Sequence, residues 1–301
     1  MAAETPSVIA VFGPTASGKT AVAEALADRL GTEVVSADAM QAYRGLPILT
    51  NQPKHPTRLV GIWPLDHEGS VGEYQRLAHA AIDELVAAHG SAVVAGGTGL
   101  YLRAALAELE LPPAPAQGAR KRWEAVYDGH PAGAYALLVE RDPAAAAIVH
   151  PNDRRRVVRA LELAEMDASL ASGHDRLWSA ETRHPTSIVG LDIAPPELER
   201  RIIARTYAMF AAGVGDEVRS ALEQQVSQTA AKTLGLREIA ELPADVARER
   251  IVLRTRRYAA YQRKWMRRIP GLVRVEATRS PEAVAESILE HVYVGGTRRV
   301  H

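Results

Sequence analysis

Eight consecutive residues near the start of the chain, Gly13-Pro14-Thr15-Ala16-Ser17-Gly18-Lys19-Thr20, fit the phosphate-loop pattern G-x-x-x-x-G-K-S/T. Each type has a physical task. The glycines let the backbone wrap around an anion, and unpaired N–H groups at the following helix start carry partial positive charge toward it. Lys19 adds a point charge for terminal phosphates, and the Thr20 hydroxyl suits Mg²⁺. The whole run from Gly13 to Thr20 is therefore the expected diphosphate- or triphosphate-binding site, with Thr20 the expected metal ligand. The loop alone does not choose among ATPases, kinases and diphosphate-dependent transferases, and a nucleoside kinase is the first guess from this element alone.

A second group follows in Ser36-Ala37-Asp38-Ala39-Met40-Gln41-Ala42-Tyr43-Arg44-Gly45. If a parallel strand ends here, Asp38 faces the same crevice as the phosphate loop. A carboxylate there takes a proton or hydrogen bond from an amine nucleophile, or caps the next turn. Gln41 pairs with a base edge or stays a surface glutamine. A third group lies between Arg254 and Arg268, which hold seven basic residues and no acidic one, with Tyr258, Tyr261 and Trp265 interleaved. On a helix, Arg254, Tyr258, Tyr261, Trp265 and Arg268 share one stripe. Cations for phosphates mixed with rings for stacking suit a single-stranded RNA loop, and inward-packed aromatics with solvated arginines are the competing arrangement. Arg256, Gln262, Arg263, Trp265 and Arg267 are the candidates here. Arg155, Arg156 and Arg159, beside Arg154, form another basic cluster, which contacts RNA or pairs with Glu162 and Glu165.

The elements that must position these groups are legible. Residues 8–12 read as a buried parallel strand ending at the phosphate loop, and residues 19–30 as a helix closed by Gly31. Residues 33–36 and 92–95 are further strands. Residues 70–89 form an amphipathic helix opened by Ser70 with Glu73, and Gly96-Gly97-Thr98-Gly99 leads into a helix over 100–109. Strands alternating with helices at this spacing predict an α/β fold with a doubly wound parallel sheet of the P-loop NTPase kind. After Pro112, Pro113 and Pro115 strand signals vanish until residues 187–193, and helices are expected near 120–128, 132–141 and 153–165. Residues 113–175 read as a helical insertion, residues 1–112 and 176–301 as the catalytic core. The part beyond Pro196 reads as mostly helical to Arg268, with a last strand at 272–277 and a closing helix at 281–292.

At 301 residues the chain has room for a substantial core, and its 47% hydrophobic and 24% charged content is ordinary for a globular protein. Lys+Arg and Asp+Glu both total 36, so RNA attraction must come from local patches. The absence of cysteine excludes disulfides, thiolate metal sites and cysteine nucleophiles. The first residues lack a basic segment followed by a long apolar run, so a cytoplasmic protein without membrane segments is expected.

The phosphate loop, the 36–45 stretch, the Gly96–Gly97–Thr98–Gly99–Leu100–Tyr101–Leu102 run, His150-Pro151-Asn152-Asp153, Arg159-Ala160-Leu161-Glu162, Glu217-Val218-Arg219 and Thr255-Arg256-Arg257-Tyr258 together resemble the tRNA dimethylallyltransferase family in order and spacing, over roughly residues 8–268. The resemblance implies transfer of a dimethylallyl group from dimethylallyl diphosphate to N6 of the adenine beside the anticodon. It implies that Asp38 deprotonates the amine, that Thr15 acts with the diphosphate, and that Arg219 neutralises the departing group. Thr98 and Tyr101 would line the channel, with Asp38, Ala39, Met40 and Gln41 meeting the flipped adenine. Mg²⁺ is the implied cofactor, a tRNA anticodon stem-loop the implied partner, the insertion an implied RNA contact, and a monomer the implied state. Adenylate prenyltransferase and small-molecule P-loop kinase are the alternatives, together with a non-catalytic RNA-binding protein that keeps the fold. Three stretches depart from the family pattern: residues 60–66 lack its histidine pair, Asn51-Gln52-Pro53 replaces its Lys-Pro element, and Ala260-Tyr261 stands where a Lys-Arg pair usually precedes the glutamine.

Overall fold

The computed structural model describes residues 6–111, 116, 118–171, 177 and 179–294. Contacts group the chain into two units, Met1–Glu108 with Leu177–His301, and Leu109–Arg176. The prolines 112, 113 and 115, expected to mark the boundary, lie outside the described residues.

The elements, in chain order, are β1 (Val8–Phe12), α1 (Lys19–Leu30), β2 (Val34–Ser36), α2 (Pro47–Thr50), β3 (Thr57–Arg58), α3 (Val71–His89), β4 (Ala92–Gly96), α4 (Gly99–Leu106), α5 (Ala119–Gly129), α6 (Pro131–Arg141), α7 (Pro143–Ile148), α8 (Arg154–Ala164), β5 (Thr186–Asp192), α9 (Pro195–Ala211), α10 (Val214–Leu222), α11 (Leu236–Glu241), α12 (Ala244–Met266), β6 (Val273–Glu276) and α13 (Pro281–Leu289). The strands form one six-stranded sheet in the order β3-β2-β4-β1-β5-β6. All of the strands in it pair in parallel. This is the expected α/β sheet. Because β1 lies between β4 and β5, the strand order reverses around it, and the crevice beyond its carboxyl end is where such sheets bind ligands.

Burial explains the apolar runs. All five β1 residues are buried, so the strand needs apolar side chains on both faces. Ile9, Val11, Val93, Val189 and Leu191 join α1 and α13 in one core cluster. α3 and α4 pack on each other and touch β4. Ser70 caps α3, its Oγ accepting from Glu73 N–H at 3.1 Å, and Gly31 closes α1 at φ 62°. The structure shortens two expected elements, starting β2 at Val34 and ending α4 at Leu106. It also adds α2 and β3, each too short for a periodic signal.

The unit Leu109–Arg176 has its own core of Ala134, Leu138, Ala145, Val157, Val158 and Leu161. Beside it, the Glu162 carboxylate is fully buried and takes two hydrogen bonds from Arg120, at 2.7 and 3.0 Å, and one from Arg159 at 3.0 Å. Burial alone would raise its pKa, but the two guanidiniums hold it below the ordinary carboxylate value.

Candidate active site

Strand register sets the geometry. Ser36 pairs with Ala95, and Phe12 pairs with Gly96, so the residues after them (Asp38, Gly97 and Gly13) leave three neighbouring strands at one level. The glycines make this approach possible. A Cβ on Gly96 would stand 2.1 Å from the Ala37 carbonyl oxygen, and one on Gly97 would stand 2.9 Å from that of Gly13.

The phosphate loop turns through Ala16 at φ 64° and Gly18 at φ 89°. For Ala16 this left-handed conformation is strained, a common property of functional loops. Three long side chains converge on the loop from elsewhere in the chain. Arg205 of α9 donates from Nη1 to Thr15 Oγ1 at 2.7 Å. Arg201, one turn earlier, reaches the Ser17 carbonyl at 3.5 Å. Gln262 of α12 accepts from Thr15 N–H at 2.7 Å through Oε1 and donates to the Gly97 carbonyl at 2.9 Å through Nε2. The basic helix is thereby pinned to the phosphate loop and to the turn before α4.

Lys19, Thr20, Glu24, Ser36, Asp38 and Gln41 line a narrow cavity of about 20 Å³, room for roughly one water. Burial lowers the Lys19 pKa to about 8, with Asp38 opposing the shift and Arg205 adding to it. Burial likewise lowers the Arg205 pKa, and Asp38 again opposes. Two cations are thus held in a space that favours an anionic guest. Asp38 Oδ1 accepts from Met40 N–H at 3.0 Å, a turn-capping contact. Asp38 thus makes the capping contact and also lines the cavity. A larger cleft of about 470 Å³ runs past Asp192, Arg263, Arg274 and Glu276, and none of the phosphate-loop residues lines it.

Several expected site residues have other occupations. Gln262 is 1% exposed and both ends of its amide are bonded within the protein, so it organises the site instead of offering an RNA surface. Gln41 accepts from Ser36 Oγ at 2.8 Å and donates to the Asn51 carbonyl at 2.9 Å, which commits its amide to its own loop. Tyr101 is 6% exposed, with its ring 4.5 Å from that of Tyr74. Ala39 is buried, and Met40 Sδ accepts from Thr233 Oγ1 at 3.2 Å. Thr98 Oγ1 lies 3.2 Å from Tyr258 Oη. Trp265 packs on Gly99, where a Cβ would come within 2.1 Å of the indole.

Arg219 is 74% exposed and pairs with Asp216 at 2.7 Å, three residues back on α10. Its neighbour Glu217 does the structural work of that segment, accepting from Ile48 N–H at 2.7 Å and Leu49 N–H at 2.8 Å. These bonds hold the start of α2 and hence the loop that Gln41 braces. Of the remaining cations, Arg256 pairs with Glu199. Arg263 lies 3.8 Å from Asp192, and Arg267 is exposed. In the insertion Arg155 is exposed, Arg156 lies 3.8 Å from Asp153, and Arg159 serves Glu162.

The residues missed by sequence reasoning are Arg205, Arg201 and Glu217. Arg201 and Arg205 share one helix face by their four-residue spacing, which was a usable signal. No local pattern pointed that face at the loop.

A parallel sheet with a phosphate loop at its reversal point, and two arginines of one helix turned onto that loop, defines an α/β protein of the P-loop class. Comparison with known proteins narrows this. The family model described as IPP transferase matches residues 41–269, and that described as isopentenyl transferase matches residues 6–59. A tRNA dimethylallyltransferase of Streptomyces coelicolor is 41% identical over 284 residues, covering 88% of each chain. One of Salinispora tropica is 37% identical over 296 residues, covering 94% of this chain and 92% of that one. The solved structure of a full-length tRNA isopentenylpyrophosphate transferase from Bacillus halodurans superposes with a TM-score of 0.68 at 26% identity, covering 97% and 98% of the two chains. A eukaryotic dimethylallyltransferase shares the fold, with a TM-score of 0.72 at 22% identity over 98% of this chain and 86% of that one. The chain belongs to the IPP transferase family, whose curated relatives here are tRNA dimethylallyltransferases.

Proposed function

We propose that this protein transfers a dimethylallyl group from dimethylallyl diphosphate to N6 of an adenine beside the anticodon of a tRNA, releasing diphosphate. The observation that carries the reading is Gln262. One side chain of the basic helix bonds the phosphate loop at Thr15 and the turn before α4 at Gly97, so a helix suited to RNA is built into the diphosphate site.

In this reading the diphosphate lies against the loop N–H groups, Lys19 and the Thr15–Arg205 pair. Asp38, one level with Gly13 and Gly97 by register, accepts the proton of the attacking N6 amine. The new N6–C1 bond forms as the C1–O bond to diphosphate breaks, and the negative charge that develops on the leaving oxygen meets Lys19 and Arg205. The leaving-group role moves from Arg219, which is exposed and paired with Asp216, to Arg205. Mg²⁺ fits the donor set, since Thr20, Glu24 and Asp38 bring hard oxygen atoms to one cavity. Thr20 would hold the ion, whose contribution when bound is neutralisation of diphosphate charge. The insertion, with Arg155 and Arg156 on its surface, serves as a second RNA contact. The enzyme works as a cytoplasmic monomer; among the described residues no helix is long and apolar enough to cross a membrane.

The test is incubation with unmodified tRNA, dimethylallyl diphosphate and Mg²⁺, followed by digestion and mass spectrometry of the nucleosides. Adenosine carrying one five-carbon unit, mapped beside the anticodon, is the expected product. Unchanged adenosine, with prenylated free AMP or phosphate transfer from ATP instead, would overturn the proposal.

A further inference from the structure

The aromatic stripe of α12 divides into three environments. Tyr258 Oη lies 3.2 Å from Thr98 Oγ1, and burial pushes its phenol up to about 12. Trp265 is wedged over the Gly99 backbone. Tyr261, between them, is 55% exposed and meets the Trp265 ring edge-on, with ring centroids 6.5 Å apart and planes at 75°. No hydrogen bond to its hydroxyl is formed by any described residue, so neither packing nor polar anchoring accounts for this large ring in water.

Its surroundings are specific. Counting along the helix, Arg257 precedes Tyr261 by four residues and Lys264 follows by three, so both lie on the Tyr261 side. Arg257 and Lys264 are exposed, and no carboxylate lies between Arg254 and Arg268 on the helix. Ala260, next to the ring, is small and exposed. A ring with cations before and after it along one face matches an unpaired nucleotide: the base stacks on the ring and its flanking phosphates meet the cations.

We propose that Tyr261 is a stacking platform for an unpaired RNA base next to the acceptor adenine. The position follows from the helix: Tyr258 and Trp265, one turn to either side, contact Thr98 and Gly99, the turn that leaves the sheet level with Asp38 and the phosphate loop. The subsite rests on the tRNA reading above, and its test separates the two.

Anticodon stem-loop RNAs are titrated against wild type, Tyr261→Phe, Tyr261→Ala and Tyr261→Arg. One RNA is intact, and others carry an abasic residue on either side of the acceptor adenine. Tyr261→Ala should bind the intact loop roughly tenfold to a hundredfold more weakly, Tyr261→Phe about as well as wild type. One abasic loop should cost wild type a similar factor and cost Tyr261→Ala nothing further. The salt dependence should stay the same in Tyr261→Ala and steepen in Tyr261→Arg. Donor affinity should be unchanged throughout. Equal stem-loop affinity of wild type and Tyr261→Ala, or additive losses in the abasic series, would overturn the platform while leaving the tRNA reading intact. Failure of wild type to bind or prenylate any stem-loop would instead overturn the tRNA reading. Sedimentation decides the remaining case: a wild-type dimer that Tyr261→Ala dissociates would assign the ring to contact between copies and overturn the platform.

Discussion

Arg205 donates from Nη1 to the hydroxyl of Thr15 at 2.7 Å, across 190 positions of sequence. This contact puts a guanidinium on the phosphate loop, where the proposed reaction would develop diphosphate charge as the allyl C–O bond breaks. Replacing Arg205 with Ala should lower kcat roughly a hundredfold to a thousandfold, the usual cost of losing one preorganised donor to a developing anion. Arg219→Ala should stay within a few-fold of wild type, because Arg219 faces solvent and pairs with Asp216. Steady-state kinetics on the two variants distinguishes the assignments, and a large loss confined to Arg219→Ala would reverse them.

Lys19 gives the site a pH limit. Its pKa is lowered from 10.5 to about 8, so the cation is lost as pH rises through about 8. Below that the donor meets a charged lysine, and above it binding must also take up a proton. Donor affinity, measured by calorimetry from about pH 7 to about pH 10, should fall by up to tenfold per pH unit beyond about 8. Lys19→Arg stays charged and should lose that pH dependence even if it binds less well. A wild-type profile flat to about pH 10 would contradict the assignment.

Gln262 joins two carbonyl- and amide-bearing turns that sequence leaves 165 and 247 residues away. Gln262→Leu should leave the Thr15 N–H and the Gly97 carbonyl without their partner, at about 1–3 kcal/mol. If the side chain organises the loop, donor KM and kcat should both worsen while the salt dependence of RNA binding stays unchanged. A change in RNA affinity alone would return Gln262 to the RNA surface.

These two contacts also mark where sequence reading stops. The phosphate loop, the buried run of β1 and the placement of Asp38 at a strand end are local, because the motif and the apolar period lie within a few residues of each other. Which face of α9 or α12 turns to the loop is decided by helix packing, and no pattern within either helix encodes it. Gln262 shows the consequence: its place in a basic stripe suggested RNA, whereas glycine at Gly97 leaves a gap that its amide fills. β3 escaped for another reason, since two residues, Thr57 and Arg58, carry no period. Glu217 stands within the Glu217-Val218-Arg219 motif, but its partners, the Ile48 and Leu49 N–H groups, lie 169 and 168 residues away and no local pattern names them.

Glu162 predicts how the insertion responds to acid. Its carboxyl is held below the ordinary 4.5 by Arg120 and Arg159, against the effect of burial. A depressed carboxylate contributes stability above its unfolded pKa, and that contribution is lost as pH falls through the lower folded value. Glu162→Gln should therefore destabilise the protein near neutral pH by about 1–3 kcal/mol, reduced from the cost of a fully buried pair because Arg120 is 42% exposed. The gap between wild type and variant in thermal unfolding should narrow from about pH 7 to about pH 3. A gap that is constant with pH would show that the ion pairs do not carry the effect.

In the proposed mechanism the phosphate loop and the basic helix serve one reaction on RNA. Comparing kcat/KM for an anticodon stem-loop with that for free AMP, at several salt concentrations and with Asp38→Asn as the catalytically impaired control, tests it most directly. The stem-loop should be strongly preferred, its kcat/KM should fall with salt at a log–log slope of order −2 to −5, and Asp38→Asn should lower its turnover by roughly 10²–10⁴. Efficient prenylation of AMP with no salt dependence, or stem-loop turnover indifferent to Asp38→Asn, would contradict the proposed reaction on RNA.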